Sequence, residues 1–220
     1  MDNFYTKQFD APSKYNEPLL ETENFKVIPS LGSLVEGWVL VVPKKHYLSF
    51  GYLENTLFIE LNYLHKQVIK ILQDLFRKDV IAFENGSLSK GSYLGCGVDY
   101  AHMHYVPLEI DLKKLVNEFY GGKVVWERIS TLVSMKNKIQ NSKPYLFIDT
   151  NIRDKFICEI HEPYSQLIRK FIANEIGKSN QYDWKRFRFD DNIEKTIKIF
   201  SSLRPLNENK RNFNKVNVFQ

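Results

Sequence analysis

The sequence is poor in cysteine, and it contains no long apolar run and no internal repeat. Cys96 and Cys158 are the only cysteines among its 220 residues. They are too few and too far apart for a disulfide framework, which favours the reducing cytoplasm. No apolar run approaches the roughly 18–20 residues of a membrane-spanning helix, and residues 1–5 lack the basic and apolar regions of a secretion signal. We therefore expect a cytoplasmic protein without a membrane partner.

The basic excess of the sequence is small. Lys and Arg number 31 and Asp and Glu 26, which gives a formal net charge of +5. A nucleic-acid interface needs a denser basic face, so no nucleic-acid partner is expected. Lys185, Arg186 and Arg188 form a short basic cluster. Such a cluster can meet a substrate phosphate, but it is also typical of a solvated surface. The sequence leaves both interpretations open.

The apolar pattern predicts an α+β fold. Apolar residues at helical spacing indicate a long helix over residues 54–75, while short runs of β-branched and aromatic residues are typical of strands. Because the strands do not alternate regularly with helices, we expect an antiparallel sheet of about five strands, with the long helix packed on one face. Strands are predicted at residues 25–28, 38–42, 80–83, 99–108, 124–126, 145–148 and 156–160.

The C-terminal half is expected to be a helical extension of this core. Helices are predicted at residues 112–119, 166–176 and 192–203, with Pro205 ending the last, and an amphipathic segment at residues 129–139. The chain is long enough for one domain with an appendage. We expect a core domain at residues 1–110, an α/β extension packed on it at residues 111–205, and a flexible polar tail at residues 206–220.

A glycine-rich turn followed by a short strand is the segment with the clearest chemistry. Side chains alternate along a strand, so Tyr100, His102 and His104 are predicted to share one face. Gly95 and Gly97 leave backbone N–H groups accessible to an anion. A neutral imidazole is a good nucleophile at pH 7, and a phosphohistidine intermediate divides one difficult displacement into two easier ones. The segment therefore favours nucleophilic catalysis at phosphorus.

Other interpretations of the histidine pair stay open. His-x-His also binds metals, with Cys96 or Asp99 as further donors, but zinc needs three or four ligands and no complete set is evident. No metal and no cofactor is therefore predicted. The two histidines can also be purely structural. His65 lies on the long helix and is interpreted as structural or surface, and His161 as a surface residue.

Two separated motifs resemble the histidine triad (HIT) family. Residues 95–107 read Gly-x-Gly-Val-x-Tyr-x-His-x-His-x-Val-Pro, similar to its His-φ-His-φ-His-φ-φ motif, where φ is apolar. Residues 37–46, Gly-Trp-Val-Leu-Val-Val-Pro-Lys-Lys-His, resemble the family's strand that ends in Pro-Lys-x-His. The likeness covers about residues 18–108. More loosely, residues 165–186 and 192–196 resemble the C-terminal extension of a bacterial HIT-like subgroup.

The resemblance implies a HIT-like nucleotide-binding domain that hydrolyses or transfers nucleotidyl groups. His102 matches the histidine that attacks the α-phosphorus, and His104 matches the one that contacts the phosphate. His46 matches the outer histidine, while Ser30 and Leu31 fall where the family holds ribose and base. Nucleoside phosphoramidates, dinucleoside polyphosphates and nucleotide-sugars are the implied substrates, and a homodimer is the implied assembly.

Further positions belong to the expected phosphate side of the site. Gly95 and Gly97 match the phosphate-side loop of the family. Glu84 and Asn85 end a predicted strand beside that loop, and one of the two is expected to help position either phosphate or a turn.

The sequence also departs from the family pattern. Tyr100 replaces the first histidine of the triad, although its hydroxyl can still donate and accept hydrogen bonds. Ser30 stands where many members have Asp, and Trp38 replaces a frequent histidine. Cys96 stands where Gln is common. The alternative function is therefore a nucleotide-binding module with little or no turnover.

Overall fold

A computed structural model describes residues 13–91, 98–141, 143–150 and 154–214, with residue 13 and residues 204–214 described as backbone only. The strands are β1 (Leu20–Glu21), β2 (Phe25–Pro29), β3 (Val39–Pro43), β4 (Val80–Gly86), β5 (Met103–Pro107), β6 (Glu127–Ile129), β7 (Tyr145–Asp149) and β8 (Lys155–Glu159). The α-helices are α1 (Leu57–Phe76), α2 (Leu112–Phe119), α3 (Lys136–Gln140), α4 (Leu167–Glu175) and α5 (Asp190–Asn214). None of the helices in these ranges is long and apolar enough to cross a membrane.

One antiparallel sheet runs through both halves of the chain. Within the described residues it has eight strands in the order β1-β2-β3-β5-β4-β7-β8-β6. The antiparallel α+β architecture is confirmed, but the expected number of about five strands is wrong. β1 has only two residues, too short to leave a periodic pattern, and the strands predicted in the C-terminal half pair into the same sheet as those of the core. Since β7 and β8 continue the sheet beside β4, residues 111–205 extend it rather than only covering it, and the division at residue 110 stays a prediction.

Three elements differ most from their predicted bounds. The predicted strand at residues 124–126 is displaced to β6, because Glu127–Ile129 are the residues that pair with β8. The histidine strand begins only at Met103, since its ladder with β3 starts there. The helix predicted at residues 192–203 extends to Asn214, past Pro205. Residues 215–220 of the predicted tail lie outside the described residues.

The long helix α1 covers one face of the sheet. Its buried apolar side chains include Leu61, Leu64 and Val68, which recur at helical spacing. They belong to a core cluster that includes Met103 and Tyr105 of β5. The predicted packing of the long helix on one face is thus confirmed.

Helices of the C-terminal half cover the other face. Ile168 and Ile172 of α4 and Val116 of α2 join a second core cluster with sheet residues. Ile193 of α5 packs with residues of β2 and β3 in a third cluster. Every residue of β3 is buried, which explains why its sequence is apolar without interruption.

A buried polar network joins α1 to the sheet. His65 is 2% exposed, and its Nε2 lies 2.7 Å from Asp149 Oδ2 of β7 while its Nδ1 lies 2.8 Å from the Tyr105 hydroxyl of β5. Lys155 lies 3.1 Å from the same carboxylate oxygen. Burial lowers the pKa of His65, although the Asp149 carboxylate acts in the opposite direction and raises it. Of the two interpretations of His65, structural or surface, its burial favours the structural one.

Glu84 of β4 is buried on the same face. Its Oε1 accepts a hydrogen bond from the Phe50 N–H at 2.7 Å, and its Oε2 accepts one from the Tyr145 hydroxyl at 2.6 Å. Burial raises the pKa of Glu84 to about 7, although both hydrogen bonds act to lower it. The carboxyl thus holds the short helical turn Phe50–Tyr52 against the sheet.

The raised pKa of Glu84 makes stability depend on pH. Because the folded-state pKa exceeds the ordinary value of 4.5, the folded chain binds the proton more tightly, and this stabilisation is present at low pH and lost as pH rises towards about 7. The shift corresponds to roughly 3 kcal/mol over that window. We expect Glu84→Gln to remove this component, measured by urea unfolding at several pH values between 4.5 and 8.

Glu109→Gln, at an exposed position, is the control and should keep the pH dependence of the parent chain. If Glu84→Gln has the same slope of unfolding free energy against pH as the parent chain, the buried carboxyl is not the source of that slope.

Candidate functional site

A cleft opens on the sheet face opposite α1, and we call it the His cleft. Its polar lining combines strand, loop and helix residues: Ser30, Asn85, His102, His104, Gln166 and Arg169. Its apolar lining is Leu31, Leu40, Phe83, Val98, Ile168 and Trp184. The cleft contains about 500 Å³ of empty space including its open mouth, of which only about 40 Å³ admits a water-sized group. Ligand pockets usually measure about 300–1,000 Å³, so the interior is narrow.

Strand pairing sets the positions of the residues in the middle of the cleft. His104 of β5 stands opposite Leu40 of β3 and opposite Phe83 of β4. Directly opposite residues point to the same side of an antiparallel sheet, and Asn85 follows on that side two residues after Phe83. Phe83 stacks on the His104 ring at 4.4 Å.

His102 precedes β5 and is oriented by the backbone. Its Nδ1 lies 2.6 Å from the Tyr100 carbonyl oxygen. A carbonyl only accepts, so in this contact Nδ1 carries the proton, and the lone pair of the neutral ring is on Nε2. Burial lowers the pKa of His102, while the backbone hydrogen bond raises it. A ring that is neutral near pH 7 with its lone pair on Nε2 has the form that a nucleophile needs.

His104 lies deeper in the cleft, 8% exposed. Its Nδ1 accepts a hydrogen bond from the Trp38 indole N–H at 3.0 Å. The rings of His104 and His102 are 4.9 Å apart, edge to face. Burial lowers the pKa of His104 well below its usual value, and the nearby His102 and Arg169 lower it further. The two predicted histidines are thus brought together in one site.

Tyr100 and His46 are not among the residues that line the His cleft. The Tyr100 hydroxyl donates to the Pro43 carbonyl at 2.8 Å and lies 3.2 Å from that of Lys44. The His46 Nε2 lies 2.6 Å from the Asp99 carbonyl oxygen. Tyr100 and His102 both precede β5, and the Tyr100 ring packs in one apolar cluster with the cleft residues Leu40 and Trp184, so the predicted shared face of Tyr100 and the histidines stays a prediction. The side chains of Tyr100 and His46 fasten the segment that leads into His102 onto the end of β3.

The C-terminal extension holds the loop that carries Ser30 and Leu31. The Gly32 N–H donates to the Arg188 carbonyl at 2.9 Å, and the Gly32 carbonyl accepts from Arg169. Further along the same loop, the Gly37 N–H donates to the Thr196 hydroxyl at 2.9 Å. The position of this wall of the cleft therefore depends on residues more than a hundred positions later in the chain.

The predicted site residues divide into three groups. Ser30, Leu31, Asn85, His102 and His104 line the His cleft. Glu84, His46 and Tyr100 do not appear in its lining: Glu84 faces the α1 side, and the other two support the segment before β5. Gly95 and Gly97, together with Cys96, lie outside the described residues.

Sequence reasoning missed the part of the cleft that comes from the extension. Gln166, Ile168, Arg169 and Trp184 lie more than 60 residues after His102, and helical apolar spacing indicates only that α4 packs on something. Strand alternation, by contrast, could have indicated Phe83, which lies two residues before Asn85 on the same strand.

Residues considered in the sequence as weaker candidates lie elsewhere. Arg186 is exposed, and of the basic cluster Lys185, Arg186 and Arg188, none is among the lining residues of the cleft. His161 is exposed and lines a separate surface cleft beside Phe119 and Tyr164. Among the described residues, no group of three or more His, Cys, Asp or Glu side chains is arranged to hold a metal ion.

Sixteen chains of solved structures match this protein, and two of them are HIT-like or histidine triad proteins that match part of it. No protein family profile and no curated protein sequence matches the chain. A HIT-like protein involved in cell-cycle regulation, from Bartonella henselae, is 14% identical over 41% of this chain and 64% of its own, with a TM-score of 0.36. A hypothetical histidine triad nucleotide-binding protein from Sulfolobus tokodaii is 26% identical over 43% of this chain and 62% of its own, also with a TM-score of 0.36.

The chain therefore covers less than two thirds of either solved structure. Both solved structures are described as HIT-like or histidine triad proteins, which is the family that the sequence motifs resemble. TM-scores this low carry no argument about function, so the proposal below rests on the geometry of the His cleft and on the sequence motifs.

The anchoring of the loop by α5 can be tested at Thr196. Its buried hydroxyl accepts from the Gly37 N–H and donates to the Asn192 carbonyl. Thr196→Val keeps the shape but leaves the Gly37 N–H without this acceptor, and a lost buried partner costs about 1–3 kcal/mol. We expect a destabilisation of that size in denaturant unfolding.

Ser202→Ala is the matched control, because the Ser202 hydroxyl donates to a carbonyl of the same helix on an exposed face. It should change stability by less than about 0.5 kcal/mol. Equal effects of the two substitutions would contradict the anchoring role of Thr196.

Proposed function

We propose that this protein is a nucleotidyl hydrolase or transferase that works through a nucleotidyl-histidine intermediate on His102. The observation that carries the proposal is the hydrogen bond between His102 Nδ1 and the Tyr100 carbonyl, which leaves the lone pair of the neutral ring on Nε2 beside a second histidine in a cleft. The HIT-like sequence motif supports a nucleotide as the substrate.

The first step is attack by His102 on the α-phosphorus. The Nε2 lone pair forms a P–N bond while the bond from phosphorus to the leaving group breaks, and the leaving group departs with that electron pair. The ring gains positive charge in this step, and the Tyr100 carbonyl stabilises it through the Nδ1 proton. Water, or another acceptor hydroxyl, then attacks phosphorus, loses its proton and breaks the P–N bond, releasing a nucleoside monophosphate or its ester.

The remaining walls of the cleft suit the rest of a nucleotide. His104 is placed to hydrogen-bond a non-bridging phosphate oxygen. Leu31 and Trp184 supply apolar surface against which a base can pack. Ser30 supplies a hydroxyl that can hydrogen-bond to the ribose. The interior admits only about 40 Å³, much less than the roughly 300–1,000 Å³ of an ordinary ligand pocket. We expect the segment bearing Trp184 to move outward when a nucleoside binds.

A second candidate function is nucleotide binding without useful turnover. The observation that favours it is the Tyr100 hydroxyl, which is engaged by the Pro43 carbonyl at the position where the family has its first histidine. The homodimer and the cytoplasmic location implied by the sequence stay predictions.

The covalent intermediate provides the direct test. The chain is incubated with an adenosine phosphoramidate, a dinucleoside polyphosphate and a nucleotide-sugar, each labelled at the α-phosphate, and quenched in alkali. We expect a label on the protein that acid releases, as is typical of a P–N bond. His102→Ala should lose the label and lower turnover by roughly 10³-fold or more, while nucleotide still raises the melting temperature.

His161→Ala is the matched control, since it removes an exposed imidazole outside the His cleft and should keep full labelling. Undiminished turnover in His102→Ala would discard the mechanism. Stabilisation by nucleotides without labelling or turnover on any of the three substrates would instead favour the binding module.

A further inference from the structure

Trp38 lies directly before β3 and is fully buried. Its backbone is fixed because its carbonyl accepts from the Ser30 N–H at 3.0 Å. Its indole N–H donates to His104 Nδ1 at 3.0 Å, with the two rings edge to face at 5.7 Å. Phe83 stacks on the His104 ring at 4.4 Å. The imidazole is therefore held in orientation by one hydrogen bond and one ring contact.

The hydrogen bond fixes the protonation state of His104. An indole nitrogen donates and cannot accept, so the Nδ1 that it contacts must carry a lone pair. A neutral imidazole with an unprotonated Nδ1 carries its proton on Nε2. An imidazolium would direct an N–H at another N–H and lose the hydrogen bond, so Trp38 opposes protonation of the ring.

The charged surroundings act in the same direction. The titratable groups that face His104 are His102 on the same segment and Arg169 on α4. The Arg169 guanidinium lies 4.7 Å from the centre of the Trp38 ring. Burial, His102 and Arg169 together lower the pKa of His104 well below its usual range. A proton on Nδ1 is thus disfavoured by packing, by charge and by the indole donor.

We propose that Trp38 is a positioning residue that holds His104 as the neutral Nε2–H tautomer, so that His104 only donates a hydrogen bond while His102 only offers a lone pair. The functional part rests on the proposed reaction. In that reaction the His104 Nε2–H donates to a phosphate oxygen of the substrate, and the lone pair on His102 Nε2 attacks the α-phosphorus. The two neighbouring histidines then have opposite tautomers because one contacts an acceptor, the Tyr100 carbonyl, and the other a donor, the Trp38 indole.

The first measurement needs no variant. Long-range ¹H–¹⁵N NMR spectra of the intact chain distinguish the two neutral tautomers of each histidine. We expect a protonated Nε2 for His104 and a protonated Nδ1 for His102 at pH 7. A protonated Nδ1 on His104 would overturn the inference, whatever the activity of the protein.

The second measurement uses Trp38→Phe, which keeps an aromatic ring and removes the donor. We expect both neutral tautomers of His104 to be populated and its titration midpoint to rise by roughly one pH unit. The matched control is Trp126→Phe, because the buried Trp126 indole nitrogen has no hydrogen-bond partner among the described residues. It should leave the tautomer of His104 unchanged. An unchanged tautomer in folded Trp38→Phe would overturn the inference.

Activity separates this inference from the proposed function. Trp38→Phe should lower kcat by roughly 5–10-fold with a smaller change in KM, and it should shift the acidic limb of the pH profile upward. If the parent chain turns over none of the substrates, the proposed function fails but the spectra still decide the role of Trp38. If Trp38→Phe changes the tautomer and leaves kcat and its pH profile unchanged, the positioning role is overturned while the proposed function stands.

Discussion

The pairing of β5 between β3 and β4 is the constraint on which the site depends. It places Leu40, His104 and Phe83 in one row on one side of the sheet. A shift of one residue in this register would turn His104 towards α1 and bring an apolar side chain to the cleft. Because α1 covers the opposite side with tightly packed apolar residues, such a shift would also bury an imidazole without its partner. The packing of α1 on one face of the sheet thus determines that His104 faces the cleft on the other.

The two faces of the sheet use buried polar groups differently. On the α1 side, His65, Asp149 and Glu84 hydrogen-bond to neighbours of fixed position and join helix, strands and turn. On the opposite side, His102 and His104 line an open cleft, where their ring atoms can meet a ligand. The same residue type is therefore structural in one place and a candidate for catalysis in the other, and the difference lies in access to the cleft.

The C-terminal extension completes this site as well as the sheet. Arg169 and Trp184 form a wall of the cleft, while Thr196 holds the loop that carries Ser30 and Leu31. The charge of Arg169 also acts on His104. In the proposed reaction, substrate entry and the position of the loop that carries Ser30 and Leu31 would therefore both involve residues outside the segment that carries the sequence motifs.

The sequence by itself determined the α+β class, the long helix and the His102–His104 spacing, because periodicity along a strand or helix is a local property. It also indicated Ser30, Leu31 and Asn85 as cleft residues. Only the tertiary structure decided that Tyr100 supports a loop, that Glu84 faces the other core, and that Trp38 and Arg169 reach His104. Trp38 and His104 are 66 residues apart. A hydrogen-bond partner at that separation is set by strand register and helix packing, which no local pattern records.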